Sequence, residues 1–557
     1  MKKLIALLLA IVSVLSLCAA CGGGNPVADA SADVKNANVN DKGQVMLKIG
    51  LPVNANVLDY ENNALTKYLE NELNYDLVFQ PYSGGSEIGT QIATAITAGE
   101  ALPDIIWGVA LAEGAISRYG KDKYFQDLSS YFVDREGASK VFWERVEANY
   151  SEYEIDNIKR KMVDADTGAI YYVPSMQTSL VDIIDYQVWI NTVWLDKLGL
   201  PMPTTTQEFY DTLVAFKTKD PNGNGKNDEI PLYGSEAGGL GADVVNFVIN
   251  MFLYFDDRKT FAVGADDKLY APFTTDEYRE ALKFANKLYA EKLMPDSVFT
   301  TSSSDLQKVT TPASGEALVG VFCGHLTLHA MKNNMLLEQY QPMPYLKGQN
   351  IVFNDNSYAR NVFITSSCAN PDAAFKLIMK MYEEQASYRV RYGEKGVNWD
   401  DAPEGAISEL EIPATIKIID DPFNQQNTCL WSSATGTLIV YAECEAAIMA
   451  EESSDWMKLR NKMAAQSRRN ADAAAEANNP DKLCPTLVYT EEELDLTERQ
   501  RNAVGEYYKA CRTDFIKNKM DPYSDAEWNK YVQQIKDYGL ADWLAAAQHA
   551  YERDPQI

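Results

Sequence analysis

Histidine is scarce, with 3 in 557 residues, and basic side chains are outnumbered, 51 Lys and Arg against 79 Asp and Glu. The formal charge of −28 argues against a nucleic-acid backbone or an anionic membrane surface as partner. His325 and His329 fall at i and i+4, but no Glu lies between them to act as general base, so a zinc hydrolase is not expected. No Gly-x-Ser-x-Gly elbow, Walker loop or His-Glu-x-x-His run occurs, which removes the common signatures of acyl transfer, nucleotide hydrolysis and metalloproteolysis. Acidic residues are too plentiful for any pair of them to mark a glycosidase by sequence alone. The reading is of a protein that is not an enzyme. Beyond Leu17 no apolar run is long enough to span a bilayer. Cysteine numbers 8. After Cys18 and Cys21 come Cys323, Cys368, Cys429, Cys444, Cys484 and Cys511, at no metal-site spacing. A chain this long folds without disulfides, so they are expected as mostly buried thiols, with room for one bridge.

What is present is globular composition, 46% hydrophobic with 11% aromatic residues, enough for a large core and too much for a disordered chain. The amino terminus reads as a processing signal. Lys2 and Lys3 precede an apolar stretch from Leu4 to Leu17 broken only by Ser13 and Ser16, the length of a secretory h-region. Cys21, directly after Ala19 and Ala20, closes that stretch in a way that resembles a bacterial lipobox. Residues 1–20 are then a lipoprotein signal peptide and Cys21 the lipid-modified residue; an ordinary signal peptide cut nearby is the other reading. Residues 21–44 have the Gly, Asn, Ala, Asp and Ser content of a flexible tether.

In the body, apolar strands alternate with helical spacing. Val45–Leu51, Leu77–Phe79 and Asp104–Trp107 read as strands, and Leu58–Leu73 and Ile88–Ala98 as helices. That alternation indicates a parallel α/β sheet. Thr205 with Glu208 forms a capping box. Asn370-Pro371 opens a helix to about Glu383, Ser524 with Glu527 opens one to about Tyr538, and the chain from Ala434 onward reads as mostly helical. No internal repeat is evident.

The most specific motif runs Asp220-Pro221-Asn222-Gly223-Asn224-Gly225-Lys226-Asn227-Asp228-Glu229. Side-chain oxygens fall at loop positions 1, 3, 5 and 9, from Asp220, Asn222, Asn224 and Asp228, and Gly225 takes the sharp turn at position 6. Lys226, at the seventh position, would offer its backbone carbonyl. Pro231 stands where an EF-hand has Glu, so Glu229 is the bidentate candidate. Oxygen donors of this kind suit Ca2+ in a structural role. The same residues also favour a solvated turn.

Several segments together resemble family 1 extracellular solute-binding proteins of sugar ABC transporters. They are Tyr82 to Gly85, Ala98 to Trp107, Trp189 to Pro201, the Asp220–Glu229 loop, and Tyr392 to Trp399. The loop is similar to that of the subgroup containing alginate-binding proteins. The resemblance implies a two-lobed α/β fold, periplasmic-binding-protein-like (type II), with a ligand cleft between lobes. It implies crossings near Val173–Val188, Asn356–Val362 and Gln425–Trp431. Lobe 1 is then 45–174 with 361–425, and lobe 2 is 175–360 with 426–557, carrying the calcium loop. The implied protein is a lipid-anchored monomer on the extracellular face of a Gram-positive cell membrane. It captures an oligosaccharide and delivers it to ABC permease subunits, with no nucleic-acid partner and membrane contact through lipid alone. A peptide or other small polar solute is the alternative ligand, and a surface polysaccharide hydrolase the remote alternative activity.

Sugars present flat apolar faces rimmed by hydroxyls, so a sugar site needs aromatic platforms and polar rims. Trp143, Trp194, Trp456, Trp528 and Trp543 lie on helical patterns and read as packing, as does Trp189 in a strand. Trp107, at the carboxyl end of a parallel strand where relatives place a stacking Trp, is a ligand candidate. Trp399 in a Gly-rich loop and Trp431 at the third crossing are two more. Tyr82 before a loop and helix, Tyr172 before the first crossing, His325 after the strand Ala317–Phe322, and Arg360 at the second crossing complete the set.

Overall fold

Strand β1 (Val45–Pro52) forms where Leu47, Ile49 and Leu51 recur at the two-residue spacing of a pleated face, and all three are buried. It belongs to a computed structural model that describes residues 38–83, 87–176, 184–236, 239, 241–325, 335–353, 360–423, 425–432, 445–450, 455–477 and 483–553. Cys21, the leader, His329 and Cys444 lie outside the described residues.

The helix Ala64–Leu73 follows, shorter than the spacing from Leu58 suggests. Asp59 accepts the backbone N–H groups of Glu61 and Asn62, which makes a turn there, and Asn63 caps the helix from its side chain. Asn74, at φ 57°, ends it. The chain returns as β2 (Tyr75–Tyr82), passes through the helix Ile88–Ala98, and enters β3 (Ile105–Val109). β4 (Val173–Ser175) comes after the helices Glu113–Lys121, Lys140–Asn149 and Glu152–Met162.

Beyond it lie β5 (Val188–Asn191), β6 (Ile230–Tyr233), the short pair β7 (Ala262–Val263) and β8 (Leu269–Tyr270), β9 (Val319–Cys323) and β10 (Tyr340–Pro342). β11 (Arg360–Ile364) then returns to the first sheet, and β12 (Trp399–Asp401) pairs with β13 (Ile416–Ile418). The strands assemble into two main sheets, one of 5 in the order β2-β1-β3-β11-β4 and one of 4 in the order β10-β5-β9-β6. Each has its own hydrophobic core. Leu47, Ile49, Trp107, Val362 and Ile378 share one. Val188, Leu232, Phe247, Leu282 and Val321 share the other. The architecture is the two-lobed α/β fold expected.

The carboxyl-terminal helices Glu491–Ile516, Asp525–Asp537 and Leu540–Glu552 join the second core through Phe515, Ile535 and Trp543. The boundary expected at residue 426 falls later in the structure. Val57 bridges Asn427, Ala64 donates its N–H to the Thr428 carbonyl, and Asn63 donates to the Leu430 carbonyl. Residues 427–431 therefore belong to lobe 1. Ile448 also packs in that lobe's core and bridges Ile416, whereas Met463 and Ala464 are in the lobe 2 core. Ile448 thus packs with lobe 1.

A clasp between the lobes was not legible in the sequence. Tyr153 donates to the Cys484 carbonyl, Asn157 accepts the Thr486 N–H, and Arg160 donates to the carbonyls of Tyr551 and Arg553. These contacts seat the lobe 1 helix Glu152–Met162 against the end of the chain. The cysteines are free thiols among the described residues, Cys323, Cys368, Cys484 and Cys511 buried and Cys429 half-buried.

Candidate functional site

In lobe 1, β1 runs parallel to β2 and β3, and β11 lies antiparallel between β3 and β4. The carboxyl ends of β1, β2, β3 and β4 therefore share one edge, where β11 begins at Arg360, paired with Ser175. In lobe 2, β6 and β9 are parallel and β5 antiparallel, so Tyr233, Cys323 and Val188 share an edge. The chain leaves lobe 1 after Ser175 and comes back at Arg360. Between these points Ile184 bridges Phe353, and Asp185 donates its N–H to the Val352 carbonyl at 2.8 Å. At this bridge the two connections lie side by side, and they join the carboxyl-end edge of one sheet to that of the other. Ligands of open α/β sheets bind outside such edges, which makes the space between these two the candidate crevice.

Tyr82 ends β2 at this edge. Its ring fills the space that a Cβ on Gly50 would need, with Tyr82 Cε2 2.6 Å from that position. The Tyr82 hydroxyl is buried without a hydrogen-bond partner among the described residues, and burial raises its pKa. A β-bulge sits opposite Asn361 and Val362, with Gly108 at φ +69°; bulges of this kind re-aim a strand end. His325, 9% exposed, follows Gly324, whose carbonyl accepts the Trp189 indole N–H at 3.1 Å. His325 and the backbone of Arg360 thus stand at these sheet edges, and Tyr82 ends β2 there with its ring packed in a core beside Ile88 and Ile106.

The tryptophans are placed differently. Trp107 is fully buried in the lobe 1 core. Trp431 meets it edge-on at 5.8 Å and meets Phe79 at 5.2 Å, and Phe79 in turn meets Tyr60 at 5.6 Å. The Trp431 indole N–H donates to Thr66 Oγ1 at 2.8 Å. The structure brings Trp107 and Trp431 together as an internal aromatic ladder, so neither offers the open ring face that a sugar platform requires. Trp399 is likewise fully buried, its indole N–H given to the Gly393 carbonyl at 2.9 Å and its ring against Tyr388 at 5.2 Å. Tyr172 precedes β4 at the end away from the crevice and donates to the Lys161 carbonyl. In all four cases the apolar ring found a protein partner, which local context alone could not reveal.

The acidic loop lies in lobe 2, directly before β6. Asp220 accepts the N–H groups of Gly223, Asn224 and Gly225. Asn222 Oδ1 accepts the Asn224 N–H at 3.0 Å, and Asn224 Oδ1 accepts the Lys226 N–H at 2.7 Å. The amide nitrogens of Asn222 and Asn224 both donate to Asp228, and these bonds lower the Asp228 pKa. Both carboxylate oxygens of Glu229 are buried without a partner. Burial raises its pKa, and Asp220 and Asp228 add to the rise. Among the described residues no three His, Cys, Asp or Glu side chains close around a point that would hold an ion, because the two amides bridge the carboxylates. The donor set nevertheless fits a hard cation, since every side chain in it carries oxygen and the buried Glu229 carboxylate has no hydrogen-bond partner among the described residues. Glu316 completes the group. Its Oε1 accepts the second N–H of Asn224 at 2.7 Å, from 92 residues away. No signal in the loop pointed to it.

The two sheets, each with its own core, and the candidate crevice are the features of a two-lobed binding-protein fold. The model of the bacterial extracellular solute-binding protein family matches residues 54–387, more than half of the chain, and the chain belongs to that family. It is 26% identical over 411 residues, 71% of each chain, to the fructooligosaccharide ABC transporter substrate-binding protein FusA of Streptococcus pneumoniae serotype 4. Its fold matches that of a FusA EF-hand mutant in complex with fructo-nystose, with TM-score 0.65, 21% identity, and coverage of 91% and 99% of the two chains. It also matches the alginate-binding protein AlgQ2 without calcium ion, with TM-score 0.59, 19% identity, and coverage of 93% and 100%.

Proposed function

We propose that the chain is the substrate-binding component of an ABC importer and captures an oligosaccharide in the crevice between its lobes. The observation that carries this reading is the meeting of two carboxyl-end sheet edges at paired crossings, in a chain of the solute-binding family. The FusA relative supports a sugar as ligand. A solute touching both edges favours the closed arrangement, because only there do both lobes contact it, and the closed population rises with ligand. His325, Arg360 and Tyr82 are the called contacts that stand at these edges. Trp107, Trp431, Trp399 and Tyr172 support the lobe from within. The chain captures and releases; it carries out no chemistry on the sugar. Cys21 anchors it by lipid on the extracellular face, and it works as a monomer with its permease.

The Asp220–Glu229 loop holds Ca2+ as a structural ion. Asp220, Asn222, Asn224, the Lys226 carbonyl, Asp228 and Glu229 supply the oxygens, with the two amides turned to present theirs. When bound, the ion would supply positive charge among three crowded carboxylates.

The test is a thermal-shift and calorimetric screen of residues 45–557 in calcium buffer. Probes are kestose, longer fructooligosaccharides, an acidic oligosaccharide panel and a peptide panel. A glycan that raises the melting temperature, binds without releasing product, and loses at least tenfold in affinity with Arg360→Ala or His325→Ala is the expected result. A peptide hit with no glycan hit would replace the ligand class, and shortened glycan products would replace the binder with an enzyme.

A further inference from the structure

The loop precedes β6, and Glu316 precedes β9, the parallel partner of β6 in the lobe 2 sheet. The two strands enter side by side, with the Ile230 N–H donated to the Leu318 carbonyl at 2.8 Å. The Asn224–Glu316 bond of 2.7 Å ties the loop to the second entry. A carboxylate can only accept, so it dictates which end of the Asn224 amide faces it. Nδ2 is shared between Glu316 at 2.7 Å and Asp228 at 3.1 Å, while Oδ1 accepts the Lys226 N–H; once Asp228 turns to a cation, Glu316 is the acceptor that still holds Nδ2. An amide with neutral surroundings could turn either way, and the wrong end would aim N–H groups at a cation.

We infer that Glu316 is a positioning residue of the cation loop: it keeps an acceptor on the Asn224 Nδ2 so that, when Asp228 turns to the ion, the amide presents its oxygen, and it clamps the entry of β6 to that of β9. This rests on the reading of the loop as a calcium site. It assigns Glu316 a place outside the ion's own ligands, like the partners that orient ligands around other metals and whose loss weakens affinity about 10–100-fold.

Calcium itself is the probe. The apparent affinity of the full chain is measured by calorimetric titration after chelation. Glu316→Ala is expected to weaken it about 10–100-fold, and Glu316→Gln, which keeps an acceptor oxygen without the charge, by less. Circular dichroism at saturating calcium checks that each variant is folded. Asp228→Ala, in the cage itself, is expected to abolish binding. Native affinity in both Glu316 variants would overturn the role of Glu316 while leaving the cage standing. A native chain that takes up no calcium would overturn the cage and the role together.

Discussion

The aromatic ladder of lobe 1 and the acidic loop of lobe 2 are opposites in what they leave unfinished. In the ladder, Tyr60, Phe79, Trp431 and Trp107 touch one another in sequence, and the Trp431 indole has found Thr66. In the loop, a carboxylate is buried without a partner beside two like charges. Buried aromatic faces that are already stacked need nothing more, whereas buried oxygens without counter-charge are stable only when something else arrives. The Trp107 indole N–H in the ladder also lacks a partner among the described residues, but it is a neutral donor, whereas Glu229 is a carboxylate beside two others; crowded like charge therefore marks the loop as a site, and ring packing marks the ladder as structure.

The sharpest way to break this contrast is to remove a ladder ring. Trp431→Ala should cost about 3–5 kcal/mol through lost packing and the cavity left behind, seen as a large drop in denaturation midpoint. Below its midpoint the variant should still bind the glycan identified by the screen. A stable variant that no longer binds would return the ring to the ligand.

Chelation is the next test. Removing calcium at a thousandfold excess over its dissociation constant should withdraw about 4 kcal/mol, read as a fall of several degrees in melting temperature. Asp220→Ala with Asp228→Ala should lose that sensitivity. Native protein indifferent to chelator, with no calcium by elemental analysis, would make the loop a plain turn.

Thr66→Val keeps the shape of the ladder's support but strands the buried Trp431 N–H. The expected loss is about 1–3 kcal/mol by chemical denaturation, and a neutral outcome would mean that the ladder stands on ring contacts alone.

The smallest effect concerns Asp104, at the start of β3. It accepts the Lys48 N–H at 2.7 Å, yet burial raises its pKa above the ordinary 3.8. The folded chain therefore favours the protonated form. That contribution is complete below the ordinary value and is lost as pH rises through the raised one. Asp104→Asn stays neutral throughout, so the melting temperature of the native chain should fall relative to the variant by about 1–2 °C between pH 4 and pH 7. A difference that does not change with pH would show that the Lys48 bond offsets burial, and one of opposite sign that it outweighs it.

Local signals carried far into the fold. The capping box at Thr205 and Glu208 is formed as the spacing predicts, and Ser524 caps a helix Asp525–Asp537. Asn370-Pro371 opens a helix that ends at Lys380, a few residues early, and a second helix starts at Glu384. At the site, the loop was legible because its oxygens lie within one turn of chain. The aromatic candidates were not, because burial depends on what packs from elsewhere: Trp399 is held by Gly393 and Tyr388, and Trp431 by residues more than 300 positions away.

The sequence by itself determined the alternation of strands and helices, the family resemblance and the spacing of the oxygen donors, since each depends on neighbours along the chain. Only the tertiary structure decided which tryptophans are covered, that residues 427–431 stay with lobe 1, that the chain's end clasps Glu152–Met162, and that Glu316 reaches Asn224. Those outcomes depend on surfaces brought together by folding, and a side chain's chemistry does not say which surface will meet it.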